Sequence, residues 1–419
     1  MKPVKQLLSL AVMAATLSAC VSAPPSKPSP APIKPTAPVT TTPIEQTPVT
    51  APAISLPPEA APLTPVPIPP ATVKTPSAAV DESQGRALLH QLLPANIKDR
   101  NGWRNDILSA FTGLKIPYEA QYFCAAIAII EQESSWQADP GVPNLDKIVW
   151  KEIEKRAAKY HLPMLAVKTA FLKSSPDGRS YKKRIDALKT EKQMNDLFED
   201  MAADAHALKL PLSLKNPIRT GGPMQVSVDF AEDHVRVWPY PYKPKGSIRS
   251  EVFTRRGGVY FGIAILLQYR TNYPQMIYRF ADFNAGRYSS RNAAFQSAVG
   301  KLARQKMVLD GDLLRYESNE TSTTQKQLMK LASRLEMSAA AIERDLKLEK
   351  TEGFSQTPLF KRVFEVASAQ VGHALPHQVM PQIKLSSPKI TRKLTTEWFA
   401  KRVDGRYQGC MARQVAGVR

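Results

Sequence analysis

The chain has 419 residues, with 57 Lys or Arg against 37 Asp or Glu, so its formal net charge is +20. This length allows one large domain, or a core domain with helical additions. A basic balance of this size attracts polyanions in general and names no particular substrate. After the N-terminus, no segment is apolar over the roughly 20 residues that a transmembrane helix needs, so none is expected.

The first 20 residues resemble the leader of a bacterial lipoprotein. A basic start with Lys2 and Lys5 precedes an apolar stretch at 6–15 that is too short to span a bilayer. The string Leu17-Ser18-Ala19-Cys20 then resembles a lipobox, in which cleavage before the cysteine leaves Cys20 as the acylated first residue. An ordinary secretory signal with an accidental cysteine is the alternative. We expect residues 1–19 to be a signal peptide and a lipid on Cys20 to be the membrane anchor.

Position 21 bears on which membrane carries the anchor. The residue after Cys20 is Val21. An Asp at this position would resemble the signal that retains such lipoproteins in the inner membrane. We therefore expect the anchor in the outer membrane of the bacterial envelope. The polyanions outside the cytoplasm are lipid head groups, lipopolysaccharide and the carboxylates of peptidoglycan. The basic charge therefore allows a contact with lipopolysaccharide or anionic lipid, whereas a nucleic-acid partner is not expected.

Residues 20–80 are predicted to be a lipidated cysteine followed by a disordered tether. Eighteen of the 36 prolines lie at 21–80, in a segment without aromatic residues. Such a composition cannot bury a core, and proline favours extended polyproline II. At roughly 3.1 Å per residue, the tether would reach on the order of 150–190 Å.

From residue 81 onward, the apolar periodicity predicts a mainly α protein. We expect a domain at 81–300 with a large helical insertion at about 140–220, and a C-terminal helical extension at 301–419. An aromatic loop at 238–246 either stacks on sugars or packs over the core. Helical spacing of apolar residues occurs at 86–93, 103–114, 118–133, 147–160, 192–208, 256–273, 292–306, 324–335, 338–348, 360–369 and 391–403.

Residues 328–346 have the pattern of a helix-turn-helix motif, which in a cytoplasmic basic protein would indicate DNA binding. In an exported lipoprotein we interpret the segment as a packed pair of helices.

Two cysteines remain once Cys20 is acylated. An oxidising compartment permits a disulfide between Cys124 and Cys410. The alternative for Cys124, which lies in an apolar helix, is a small buried hydrophobe.

Three short motifs occur in a fixed order along the chain. They are Glu131-Gln132-Glu133-Ser134 after an apolar stretch, Gly221-Gly222-Pro223-Met224-Gln225, and Ala281-Asp282-Phe283-Asn284-Ala285-Gly286. Together they resemble the lytic transglycosylases with a goose-type lysozyme-like fold, over about residues 101–300. The whole arrangement also resembles a group of outer-membrane lipoproteins with no settled activity. The fold implied is a lysozyme-like helical domain.

Apart from the family resemblance, the residues around Glu133 themselves indicate that its carboxyl group acts as an acid. The helix at 122–130 is almost wholly apolar, so it must be buried nearly all round. Glu133 shares a face with Ala126, and a carboxyl group there loses hydration, which favours its protonated form. Glu131 points to a different face of the helix from Glu133 and is expected to meet solvent. An exposed glutamate at a frayed helix end is the alternative for Glu133.

The resemblance implies a reaction that needs one carboxylate, whereas ordinary glycoside hydrolysis uses two. Glu133 would protonate the oxygen between the N-acetylmuramoyl and N-acetylglucosaminyl sugars of peptidoglycan. The C6 hydroxyl of the muramoyl sugar would then attack, closing a 1,6-anhydro ring. No metal or cofactor is implied. Substrate contacts would come from Ser134, Gly222, Met224, Gln225, Phe283, Asn284 and Gly286.

Several features leave a second function open. Phe283 stands where the family has Tyr, Pro223 replaces an aliphatic residue, and 88 residues separate Glu133 from Gly222. Met224 could serve core packing and Asn284 helix capping. The alternative to an enzyme is a non-catalytic lysozyme-like lipoprotein that binds peptidoglycan or a protein partner.

Overall fold

The computed structural model describes residues 81–207, 216–316, 320–385 and 394–416. Across these residues it contains 17 α-helices, one 3-10 helix and two short antiparallel strand pairs. The prediction of a mainly α protein is confirmed. The predicted leader, Cys20 and the tether lie outside the described residues. Each helix in the described part is too short or too polar to cross a bilayer.

The first three helices begin the larger of two hydrophobic cores, which we call the first core. Asp99 caps the second helix, because its Oδ1 accepts a hydrogen bond of 3.1 Å from the backbone N–H of Gly102. The third helix is apolar along most of its length, and its residues are buried apart from Gln121, Tyr122 and Glu131. The three are α1 (Glu82–Leu92), α2 (Arg100–Leu114) and α3 (Ala120–Ser134).

The predicted insertion folds as four helices that pack onto the first core. Val149, Ile153, Phe171 and Leu197 are all buried in that core. The two longer helices were predicted from apolar periodicity. The two shorter ones were not, because six or seven residues are too few to show a period. The helices are α4 (Leu145–Lys159), α5 (Met164–Ala170), α6 (Tyr181–Asp186) and α7 (Glu191–Ala207).

The middle of the chain surrounds one long buried helix, α10. All its residues from Gly257 to Leu267 are buried, which explains its unbroken apolar sequence. A pair of two-residue strands precedes it and brackets the Gly222 turn. The elements here are β1 (Thr220–Gly221), β2 (Val226–Ser227), α8 (Val228–Val237), α9 (Ile248–Val252), α10 (Arg255–Leu267) and α11 (Ile277–Ala285).

A second core forms around helix α12 and the residues that follow it. Leu328, Leu335, Ile342 and Leu346 are buried there together. The helix-turn-helix-like segment is therefore a set of packed helices, as expected, with its apolar residues turned inward. The elements are α12 (Ser289–Ala303), α13 (Thr323–Lys330), α14 (Ala332–Leu335), α15 (Ala339–Leu346), a 3-10 helix (Glu352–Gln356) and α16 (Pro358–Val371).

The last helix leaves the second core and returns to the first. It is α17 (Thr396–Ala416), preceded by the paired strands β3 (Lys384–Leu385) and β4 (Leu394–Thr395). It packs against both α3 and α11. Its residues Phe399 and Val403 are buried in the first core. The first core therefore contains residues from both the beginning and the end of the described chain.

A disulfide fixes α17 to α3. Cys124 and Cys410 are bonded, with their Cα atoms 5.4 Å apart and 286 positions of sequence between them. Both cysteines are fully buried. The cross-link therefore joins two helices of one core from opposite ends of the described chain.

We expect the cross-link to stabilise the first core, because it shortens the unfolded chain across a very long loop. Cys410→Ser should lower the free energy of unfolding by about 2–5 kcal/mol. The measurement is urea unfolding of the chain from residue 20 in a Cys20→Ser background. A reductant should lower the midpoint of the parent and leave that of Cys410→Ser unchanged. Equal midpoints for the parent with and without reductant would contradict a stabilising cross-link.

Candidate functional site

Glu133 lies in the last turn of α3 and is 6% exposed. The chain turns sharply directly after the helix, because Ser135 and Trp136 both have positive φ values, of 47° and 66°. The Trp136 ring packs edge-on against Trp103 of α2. Ser134 is buried, and its hydroxyl donates to the carbonyl of Ile130 at 2.9 Å. The predicted acid is thus sheltered at the end of a buried helix.

Arg406 of α17 is a cation that lies close to this helix end. Its Nε lies 3.6 Å from Oε1 of Glu131. Burial lowers the pKa of Arg406 below its ordinary value, and the carboxylates of Glu131 and Glu133 oppose that shift. Glu131 was expected to meet solvent, and its side chain is 37% exposed. The two glutamates therefore differ in exposure and share the field of one arginine.

The second motif forms a tight turn against α10. Gly222 has φ +73°, and a Cβ there would lie 2.1 Å from the carbonyl oxygen of Val252. Only glycine fits that position. Met224 is fully buried, and a Cβ on Gly262 would lie 2.5 Å from its Sδ. Met224 therefore serves core packing, one of the two roles considered for it.

Gln225 of the same motif is buried with a left-handed backbone, at φ +49°. Its Nε2 donates to Oε2 of Glu191 at 3.0 Å. Its Oε1 is buried without a hydrogen-bond partner among the described residues. Glu191 was not singled out from the sequence, because it begins α7 of the insertion and only tertiary packing brings it to the motif. This pair is a polar contact between the insertion and the predicted site.

The third motif lies at the end of α11, under the last helix. Asn284 is buried, and its Oδ1 accepts a hydrogen bond of 2.8 Å from Oγ1 of Thr396, the first residue of α17. Phe283 is buried in the first core. Gly286 follows with φ +104°, which few residues other than glycine adopt. The predicted substrate contact at Asn284 is thus engaged by the chain itself.

Asp282 organises the turn that follows this motif. Its fully buried carboxylate accepts hydrogen bonds from the backbone N–H groups of Ser290 at 2.7 Å and Tyr288 at 2.9 Å. The hydroxyls of Tyr273 and Tyr269 donate to it at 2.8 and 3.2 Å. Burial nevertheless raises the pKa of Asp282 to about 6. The sequence did not reveal this role, because all four donors lie outside the motif, at 6 to 13 residues from Asp282.

The three motifs meet through helices that they share. The Met224 turn packs on α10, and α10 packs against α3. The helix of Asn284, α11, packs against α17, and α17 packs against α3. Buried residues of all three motifs therefore surround one core, and α17 covers the side that carries Asn284.

The aromatic loop at 238–246 packs over the core, as one of its two interpretations held. Trp238 donates from Nε1 to the carbonyl of Gly113 at 3.0 Å. Tyr240 donates to Glu251 at 2.7 Å, and its ring stacks on Phe261.

Within the described residues, no group of three or more His, Cys, Asp or Glu side chains has the arrangement of a metal site.

A family model described as "Protein of unknown function (DUF1615)" matches residues 96–413. The chain belongs to this family. The matched span contains all three motifs, the second core, most of the first core and both bonded cysteines. The chain is also similar to the "Uncharacterized protein YaiW" of Escherichia coli strain K12, at 46% identity over 325 residues, which is 78% of this chain and 89% of that protein. No solved structure matches.

Asp282 should be essential for stability, because its removal leaves buried donors without an acceptor. We expect Asp282→Asn to lower the free energy of unfolding at pH 7.5 by about 2–4 kcal/mol. The control is Tyr269→Phe, which removes one donor and keeps the carboxylate, and it should cost about 1 kcal/mol. Urea unfolding measures both. Equal losses for the two variants would show that Asp282 is not the organising group.

The Thr396–Asn284 bond should couple the third motif to α17. In a double-mutant cycle of Asn284→Ala and Thr396→Val, we expect a coupling energy of about 0.5–1.5 kcal/mol in urea unfolding. Thr357→Val supplies a distant control, since Thr357 caps α16 in the second core. Its effect should add to that of Asn284→Ala. Additive effects of the two contacting residues would mean that the bond contributes nothing.

Proposed function

We propose that the chain is a lipid-anchored protein of the bacterial outer membrane whose lysozyme-like domain cleaves peptidoglycan. Glu133 is the acid and base, and the products carry a 1,6-anhydro ring. The observation that carries the proposal is the sheltered carboxyl group of Glu133, 6% exposed at the end of a buried helix. The Gly222 turn supports it, because the turn packs on α10, which contacts the Glu133 helix.

In the proposed reaction Glu133 first donates a proton and later accepts one. Glu133 gives its proton to the glycosidic oxygen as the bond to C1 of the muramoyl sugar breaks. The C6 hydroxyl of that sugar then forms a bond to C1, and its proton returns to Glu133. Shelter from bulk water suits this chemistry, because water at C1 would give hydrolysis in place of ring closure.

Gln225 fits a binding role in this scheme. Its Nε2 is held by Glu191, which fixes the orientation of the amide. Its Oε1 has no hydrogen-bond partner in the described part of the chain. A buried carbonyl oxygen without a partner is costly, and an N–H or O–H of a sugar would satisfy it. The N-acetyl group of the glycan offers such a donor.

The second candidate is a lysozyme-like lipoprotein without turnover, which binds peptidoglycan or a protein partner. One observation favours it. Asn284 is engaged by Thr396 and lies under α17, so the chain occupies one of the groups expected to bind glycan. Phe283 adds to this, because it offers no phenolic hydroxyl beside the acid. In this scheme Glu133 serves only to hold α17 through the field of Arg406.

Digestion of purified sacculi separates the two candidates. We expect the wild-type chain to release anhydro-muropeptides, detected by mass spectrometry, and Glu133→Gln to release at least about 100-fold less, because the acid and base are lost together. The matched control is Glu131→Gln, which removes the neighbouring, more exposed carboxylate. It should keep most of the activity.

Two results would contradict cleavage at Glu133. The first is equal release by wild type and Glu133→Gln. The second is no release by a wild-type chain that still pellets with sacculi, which would support the binding protein. Unchanged urea midpoints for both variants ensure that a loss of release reflects chemistry and not unfolding.

A further inference from the structure

A cluster of exposed apolar side chains lies on the insertion. Leu165 is 80% exposed, Leu172 is 59% exposed and Tyr160 is 55% exposed. The three fall within 13 consecutive residues, on α5 and the turns that flank it. A single exposed leucine on a protein surface is ordinary, whereas a cluster of large apolar side chains indicates a surface with a function. We call these three residues the apolar patch.

Helix α5 supports the patch from beneath. Val167, Ala170 and Phe171 are buried against the first core, which fixes the helix in place. Leu165 lies within α5, and Leu172 lies in the turn that directly follows the helix. The segment therefore buries one apolar face in the first core and leaves two leucines exposed beside the exposed Lys168.

Lysines surround the apolar patch. On α4, positions 147, 151, 155 and 159 are all lysine, spaced by four, and all are exposed. On α5, the exposed Lys168 lies between Leu165 and Leu172 in the sequence, and its Nζ is 5.8 Å from the ring of Trp150 on α4. The Nζ of Lys182 lies 6.0 Å from the same ring. The two helices thus present exposed lysines in the part of the insertion that carries the patch.

The charge of this segment is strongly one-sided. Residues 147–192 contain 13 Lys or Arg and five Asp or Glu, a net charge of +8 in 46 residues. The acidic groups nearest the patch are in part neutralised within the protein. Glu152 pairs with Arg156 at 3.3 Å, and Asp186 pairs with Lys182 at 2.6 Å. Two further acidic residues lie on α4, the exposed Glu154 and the half-buried Asp146 in its first turn.

We propose that the apolar patch and its lysines are a membrane-contact surface, which inserts Leu165, Leu172 and Tyr160 among the head groups of anionic lipids. Apolar side chains ringed by lysine are the chemistry of proteins that lie on a membrane surface. Charge complementarity selects the occupant, since phosphate head groups match the basic rim. The surface is independent of the proposed sugar chemistry and serves equally under the binding alternative.

Membrane contact would change what the anchor does. The predicted acylation of Cys20 and the predicted tether at 21–80 would leave the folded part free to sample a wide volume. A second, weak contact on the folded part becomes effective at the high local concentration that the tether provides. The insertion would then hold the body against the bilayer in one orientation.

The test uses the full chain from residue 20 with Cys20→Ser, so that no acyl chain contributes. Sedimentation is measured with vesicles of phosphatidylglycerol mixed with phosphatidylcholine, and with vesicles of phosphatidylcholine alone. We expect binding to the anionic vesicles only, weakened as salt is raised. The double variant Leu165→Ser with Leu172→Ser should bind at least about tenfold more weakly. The double variant Lys159→Glu with Lys168→Glu should do the same.

Matched controls come from the second core. Val308 is 66% exposed and lies outside the patch, so Val308→Ser should leave binding unchanged. Lys326 and Lys330 are two exposed lysines on α13, so Lys326→Glu with Lys330→Glu changes the net charge by the same amount elsewhere. Circular dichroism and urea midpoints check that each variant is folded. If the leucine variant unfolds, the lysine variants still test whether the patch contributes to vesicle binding.

Three outcomes would overturn the proposal. The first is no binding of the parent chain to anionic vesicles. The second is equal weakening by the patch lysines and the α13 lysines, which would make the attraction a property of net charge alone. The third is a parent dimer in analytical ultracentrifugation that Leu165→Ser with Leu172→Ser dissociates while vesicle binding persists. That result would make the patch a contact between two copies of the chain.

Discussion

Helix α17 is attached to α3 by a buried disulfide, and the arrangement of the candidate site depends on that attachment. Cys410 is bonded to Cys124 in the middle of α3, and one face of α17 completes the first core with Phe399 and Val403. The same helix begins at Thr396, whose hydroxyl is bonded to Asn284. It also carries Arg406 beside the end of the Glu133 helix. Apolar burial and one covalent bond thus determine which polar groups meet.

This attachment links the second core to the first. The chain leaves the first core at α12, builds the second core, and returns as α17, so both ends of the second core are held by the first. The buried side chains of α12 make the junction polar as well as apolar. Arg291 donates to the carbonyl of Thr351 at 2.7 Å, and Asn292 donates to the carbonyl of Gly311 at 3.1 Å. Asp282 holds the turn just before them. Satisfied buried polar groups of this kind fix one relative placement of two cores.

The two proposals locate different chemistry in different parts of the molecule. The proposed glycan chemistry would take place at the first core, where Glu133 and Gln225 are buried. Membrane contact belongs to the insertion, where lysines and apolar side chains are exposed together. Glu191 connects the two regions, since it begins α7 of the insertion and holds Gln225. The 88 residues that separate the first two motifs therefore contribute both to the site and to an outer surface.

The sequence by itself determined the mainly helical class, the buried helix ending at Glu133 and the inward packing of residues 328–346. Each of these follows from local periodicity, which neighbouring residues decide. Only the tertiary structure decided that Asn284 is bonded to Thr396, that Glu191 holds Gln225, and that Asp282 collects four donors. The lipid anchor and the activity stay predictions. Long-range contacts depend on how whole helices pack, with 112 positions separating Asn284 from Thr396, and no local pattern encodes that pairing.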